Sequence, residues 1–174
     1  CVLALLDAGF RVRGTARDPV KGGRIFEVLK PQTTAIDQLE VVAADLTRDE
    51  GWDEAVRGCR YVLHVASPVF TAPPKDDQEM IGPARDGALR VLAAAARAGV
   101  SRVVMTSSTS AVIYGHPRDG RVTYDESTWT EMRPDVGAYE RSKTIASPST
   151  AKGVRQPCAA AIAGPPAMPP IWPR

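Results

Sequence analysis

Tyr61-Val-Leu-His-Val-Ala66 is a near-continuous apolar run that stops at Ser67-Pro68. Apolar side chains on both faces of a strand belong to a parallel sheet sandwiched between helices, whereas a hairpin with one wet side alternates. The flanking segments agree. Upstream, Leu39-Glu-Val-Val-Ala-Ala44 reads as another strand with Asp45 at its end, and the segment from Asp49 to Arg57 as a short helix closed by Gly58. Before that, Phe10-Arg-Val-Arg-Gly-Thr15 alternates as a short strand does. The turn Ala16-Arg17-Asp18-Pro19 then leads into a helix from Val20 to Leu29, weakened by Gly22 and Gly23. Val2, Leu5 and Leu6 share a helical spacing that Gly9 ends. Downstream, Ile81, Ala84, Ala88, Val91, Leu92 and Ala95 mark a helix over Asp76 to Ala98, stopped by Gly99, and Ser101 to Met105 is the next strand.

Strand and helix in strict alternation, with short connections, predict an α/β fold built on a doubly wound parallel sheet. Ligands in such folds sit at the carboxyl ends of the strands. Arg17, Asp45, Ala66-Ser67 and Ser107-Ser108 all fall at such ends.

Composition narrows the function. The 174 residues are 44% hydrophobic, enough for one domain with a real core. A formal charge of +2, from 22 basic and 20 acidic residues, gives no electrostatic argument for nucleic acid or a membrane surface. The apolar runs are far too short to span a bilayer. Cys1, Cys59 and Cys158 are odd in number and widely spaced, so neither a disulfide framework nor a metal site is expected, and the expected setting is reducing and cytoplasmic. His64 lies inside the apolar strand and His116 in a turn, without partner spacing for a metal.

The chemistry sits between Ser107 and Lys143. A strand ends in hydroxyls, Val103-Val-Met-Thr-Ser-Ser-Thr-Ser110, and Tyr139-Glu-Arg-Ser-Lys143 follows. Tyrosine and lysine four apart share a helix face. An ammonium beside a phenol favours the phenolate, which brings proton exchange closer to neutral pH. The spacing alone also fits a half-buried ring beside a solvated lysine; the serine-rich strand end is what shifts the balance, because a hydroxyl there can polarise a carbonyl. The serines equally suit a turn or a helix cap. Arg17 stands where a guanidinium can fork onto a ribose 2′-phosphate, or is a surface charge beside Asp18. Asp45 is placed to accept from an adenine amine, to cap the next helix, or both.

In this order the motifs resemble the extended short-chain dehydrogenase/reductases, the NAD-dependent epimerase/dehydratase superfamily, and within it the dihydroflavonol reductase-like branch of carbonyl and aldehyde reductases. The matching stretches are Val12-Arg-Gly-Thr-Ala-Arg-Asp-Pro19, Ala44-Asp-Leu46, Trp52-Asp-Glu-Ala-Val-Arg-Gly-Cys59, Val62-Leu-His-Val-Ala-Ser-Pro68, Val103-Val-Met-Thr-Ser-Ser108, Tyr124-Asp-Glu-Ser-Thr-Trp129 and Ala138-Tyr-Glu-Arg-Ser-Lys143. The resemblance implies that Tyr139 is the catalytic acid and that Lys143 tunes it and holds the nicotinamide ribose. Ser108 would polarise the carbonyl, with Ser110 as the choice if Ile113-Tyr-Gly115 sets the alignment. Arg17 would carry the 2′-phosphate of NADPH in preference to NAD, Asp45 and Leu46 the adenine, and Val65, Ala66 and Ser67 the inner face of the cofactor. The implied reaction is NADPH-dependent reduction of a small-molecule ketone or aldehyde, with no metal.

The same resemblance implies a first strand and a GxxGxxG-type turn to grip the pyrophosphate. The 174 residues contain no such turn and open inside the helix it would start. A partial Rossmann-like sheet lacking its first strand is therefore expected over residues 1–146. Residues 147–174 hold seven of the fifteen prolines and no acidic residue, and are expected to be a disordered or non-native tail. Two further readings stand beside the reductase: a nucleotide-sugar epimerase/dehydratase or hydroxysteroid dehydrogenase using the same serine, tyrosine and lysine, and a remnant without activity.

Overall fold

The computed structural model of the chain describes residues 1–68, 76–117, 123–125 and 128–147. Its elements run α1 (Val2–Asp7), β1 (Val12–Ala16), α2 (Pro19–Leu29), β2 (Leu39–Ala43), α3 (Trp52–Val56), β3 (Tyr61–His64), α4 (Asp77–Arg97), β4 (Arg102–Met105) and α5 (Ala138–Ala146). Three short 3-10 turns, Lys30–Gln32, Ile36–Gln38 and Thr109–Ala111, complete them. The alternation read from the sequence is the one observed.

Pairing is parallel throughout, as the apolar run at Tyr61 predicts. β1 pairs with β2, Val12 opposite Leu39 through Ala16 opposite Ala43, and β3 pairs with β4, Tyr61 opposite Arg102 through His64 opposite Met105. The two pairs form separate two-stranded sheets, with no ladder joining them among the described residues.

One apolar core holds the pairs together. Trp52, Ala55 and Val56 of α3 and Val91, Ala94 and Ala95 of α4 are buried with Ala44 and Val100, and Val42, Val62 and Val103 pack against them. Val42 belongs to one strand pair and Val62 and Val103 to the other, so the helix layer spans both. Each valine of this core contributes about 1.5–3 kcal/mol when fully buried, and each alanine methyl less. Arg13 of β1 adds a polar tie: its Nη1 donates to the carbonyls of Arg57 (2.7 Å) and Glu54 (3.1 Å) at the end of α3, while its Nε donates to Glu40 (2.7 Å). A cation there satisfies carbonyls the helix leaves open.

On the opposite face of the first pair α2 comes close. A Cβ on Gly22 would meet the Val41 side chain at 3.0 Å, which explains a glycine in mid-helix. The second pair differs from the expectation of burial on both faces. Leu63 and Val104 are 43% and 52% exposed, because no helix among the described residues covers the face they point from.

The helix expected from Asp49 starts only at Trp52. Gly51 precedes it with φ +85°, and a Cβ there would stand 2.3 Å from the Ala43 carbonyl oxygen, so the chain turns sharply at this point instead of entering the helix early. Ser147 is buried at the end of α5; the rest of the expected tail lies outside the described residues. Gly51→Ala is expected to lower stability by about 2 kcal/mol or more, whereas Gly58→Ala, with φ +69° but open space around it, should cost about 1 kcal/mol. Thermal melts of the two variants check this; equal losses would contradict the crowding at Ala43.

Candidate active site

The carboxyl ends of β3 and β4 face α5, which packs along α4. A shallow cleft there is lined by Leu46, His64, Ser67, Thr106, Ser107 and Lys143, among others. Its chemistry centres on Lys143. The Nζ donates to Ser67 Oγ at 2.7 Å and lies 5.2 Å from the centroid of the Tyr139 ring. The helical spacing of the two residues thus brings them together, with the ammonium against the ring. Tyr139 is 48% exposed, so its phenol is open to a small molecule.

The serine-rich strand end forms a short capped turn. Ser108 caps the 3-10 helix Thr109–Ala111 by accepting from Ser110 N at 3.2 Å. Ser107 Oγ is 2.9 Å from Ser147 Oγ, and Ser147 donates to the Lys143 carbonyl at 2.8 Å, which links the strand end to α5. The buried Thr130 donates to the Ser110 carbonyl at 2.9 Å and accepts from Tyr114 N at 3.2 Å, fastening the same turn from its other side.

The residues at β1 and β2 group separately. Arg17 is exposed just past β1, and among the described residues no carboxylate lies within ion-pair distance of it. Asp18, its alternative partner, instead caps α2 by accepting from Val20 N at 2.9 Å. Asp45 Oδ1 accepts from Thr47 N at 2.8 Å and Thr47 Oγ1 at 2.9 Å. Asp45 therefore closes a local turn and does not cap α3, whose cap position is Gly51. Those Thr47 hydrogen bonds, helped by the charges of Arg17 and Arg48, hold the Asp45 carboxyl below its ordinary range. Val65, Ala66 and Ser67 run exposed beyond β3, with Thr106 Oγ1 donating to the Val65 carbonyl at 3.3 Å.

Sequence reasoning passed over Arg13, Arg90 and Thr130. Arg13 and Arg90 stand at polar positions of a strand and an amphipathic helix and Thr130 in a loop, and only the fold shows which carbonyls they reach. Gly115 has φ +79°, and a Cβ there would stand 2.3 Å from the Glu131 carbonyl oxygen, so packing alone requires this glycine. Among the described residues, no three His, Cys, Asp or Glu side chains gather to hold a metal, and no helix is long and apolar enough to cross a membrane.

A parallel α/β fold with a tyrosine and a lysine on one helix face, opposite a serine-rich strand end, defines a class of dinucleotide-dependent enzymes. Residues 1–158 match the NAD dependent epimerase/dehydratase family, and the chain belongs to it. It is 34% identical over 158 residues to a putative anthocyanidin reductase of Ginkgo biloba, covering 87% of this chain and 46% of that protein. It is 36% identical over 132 residues to dihydroflavonol 4-reductase of Zea mays, covering 75% of this chain and 36% of that one. The fold superposes on yeast methylglyoxal/isovaleraldehyde reductase complexed with NADPH, with a TM-score of 0.70 at 25% identity over 83% of this chain and 46% of that one. The chain spans less than half the length of each of these relatives.

His64 closes β3 within the cleft, 8% exposed, and burial pushes its imidazole below its ordinary pKa. A base lowered by folding binds fewer protons folded than unfolded, so its contribution is complete above the unfolded value of about 6.5 and is lost as pH falls below it. Asp45 and Asp86, both lowered, weaken the fold only below about pH 4. The thermal midpoint is expected to drop between pH 7.5 and pH 5, and His64→Leu should flatten that drop. An undiminished slope in the variant would contradict the assignment.

Proposed function

We propose that this chain carries the cofactor-binding and proton-transfer part of an NADPH-dependent reductase that converts a ketone or aldehyde to an alcohol. The observation that carries this reading is Lys143, one cation set against both the Tyr139 ring and the Ser67 hydroxyl at the strand end. The reductase names of the relatives and the NADPH in the yeast structure support it. The unpaired Cys1 and Cys59 support a reducing, cytoplasmic setting.

The donor set suits a phosphorylated dinucleotide. Arg17, exposed and without a carboxylate partner, would take the 2′-phosphate and so favour NADPH over NADH. Asp45 and Leu46 would hold the adenine, Val65, Ala66 and Ser67 the inner face, and Lys143 the nicotinamide ribose. When bound, the reduced dinucleotide supplies the hydride. Ser108 keeps its oxygen turned to Ser110 N and its own proton without an acceptor among the described residues, so it can donate to the substrate carbonyl. Tyr139 transfers its proton to that oxygen as charge develops there, and Lys143 stabilises the oxyanion left on the tyrosine. Ser110, whose hydroxyl has no hydrogen-bond partner among the described residues, is the alternative for Ser108. Sugar epimerases of the family use the same trio; the reductase names of the relatives favour the reductase reading over them.

A second reading concerns strength. Among the described residues no ladder joins the two strand pairs, and the 174 residues contain no GxxGxxG turn, which supports a reading in which this chain by itself binds dinucleotide weakly and turns over little. Tight, saturable NADPH binding by this chain would contradict that.

NADPH oxidation with an aldehyde or ketone, followed at 340 nm, tests the roles. In the chain extended with the pyrophosphate turn and carboxyl-terminal region of a reductase relative, Tyr139→Phe should lower the rate by about 10²–10⁴-fold, and Ser108→Ala should lower it far more than Ser110→Ala. Arg17→Ala should weaken NADPH binding by roughly tenfold or more and leave NADH unchanged. Near wild-type turnover in Tyr139→Phe would overturn the proposal.

A further inference from the structure

The loop between β2 and α3 is held with unusual completeness by side chains from outside it. Trp52, 6% exposed, donates its indole N–H to the carbonyls of both Asp45 (3.0 Å) and Arg48 (3.1 Å). Arg90, from the middle of α4, donates Nη1 to the Leu46 carbonyl at 2.9 Å and pairs Nε with Asp49. Gly87 lies one turn earlier on the same helix. A Cβ there would stand 2.9 Å from Leu46 Cβ and 3.2 Å from its carbonyl oxygen, so the missing side chain is what lets the loop seat against α4. Three successive points of the loop backbone are thereby fixed to the helix layer. Asp45 Oδ1 is taken by Thr47, and Oδ2 has no partner among the described residues.

We infer that Arg90 is a positioning residue for the adenine end of the cofactor site: it acts through the Leu46 carbonyl and Asp49 to hold Asp45 and Leu46 where a purine can meet them. This rests on the assignment of those two residues to the adenine in the proposed function. Arg90 touches neither reacting atoms nor, in this account, the cofactor. A planar guanidinium suits the task because it serves a carbonyl and a carboxylate at once, which an ammonium does less well. Its influence should fall on the half of the ligand common to NADPH and NADH, and therefore on both dinucleotides alike. Arg17, by contrast, separates the two.

Titration of the full chain with NADPH and with NADH, read by the fluorescence of the reduced nicotinamide, distinguishes these effects. Arg90→Ala should raise the Kd for both by about tenfold and leave their ratio unchanged. Arg97→Ala, which removes a similar ion pair to Asp53 on the same helix without touching the loop, should change neither. Circular dichroism verifies folding. Should Arg90→Ala fail to fold, Arg90→Lys decides, with an expected weakening of about threefold or more for both cofactors. A Kd within twofold of wild type in the folded variant, or a changed NADPH to NADH ratio, would overturn the inference. If the wild-type chain binds neither dinucleotide, the nucleotide reading falls and this inference with it. If wild type binds and Arg90→Ala binds equally well, only the inference falls.

Discussion

The packing of α3 and α4 across the two strand pairs is the constraint on which the rest of the molecule depends. A two-stranded parallel sheet has little stability of its own. Here Val42 from one pair and Val62 and Val103 from the other meet the same buried face of Trp52, Val56, Val91 and Ala95. The helix layer therefore sets the distance and orientation of two strand pairs that no ladder joins among the described residues. Arg13, reaching from β1 to the last carbonyls of α3, locks one pair to that layer by polar contacts as well.

The candidate site follows from this arrangement. Parallel pairing puts Arg17 and Asp45 at the carboxyl ends of one pair and Ser67 and Ser108 at those of the other, and Leu46, next to Asp45, lines the same cleft as Ser67 and Ser107. Helix α5 lies along α4, so Tyr139 and Lys143 are referenced to the same helix that carries Arg90 and Gly87. The adenine end and the proton-transfer end of the proposed site thus share one rigid support.

Much of the fold was legible because it rests on local rules. Period-2 and period-3.6 apolar spacing, closing glycines at Gly9, Gly58 and Gly99, and the turn at Ala16 to Pro19 locate elements to within a few residues. The class of chemistry was legible in the same way, since four-residue spacing on a helix fixes a tyrosine beside a lysine. What escaped was set by contacts distant in sequence. The late start of α3 depends on the approach of Gly51 to Ala43, the local turn at Asp45 on Thr47, and the exposure of Leu63 and Val104 on which helices are present to cover them. Arg90 looked like any charge on an amphipathic helix until the loop it holds, about forty residues earlier, was in place. Gly87 carried a signal, an otherwise unfavourable glycine in mid-helix, that a close backbone approach explains.

The central claim is that the strand ends and α5 together form one dinucleotide site. Backbone amide chemical shifts of the isotopically labelled chain, followed during NADPH addition, test it most directly, since they register weak binding as well as strong. The account predicts shifts clustered at Arg17, Asp45, Leu46, Val65 to Ser67 and Tyr139 to Lys143, with the outer face of α3 and α4 around Asp53 and Arg97 unmoved. Shifts confined to that outer face, or none at millimolar NADPH, would contradict it.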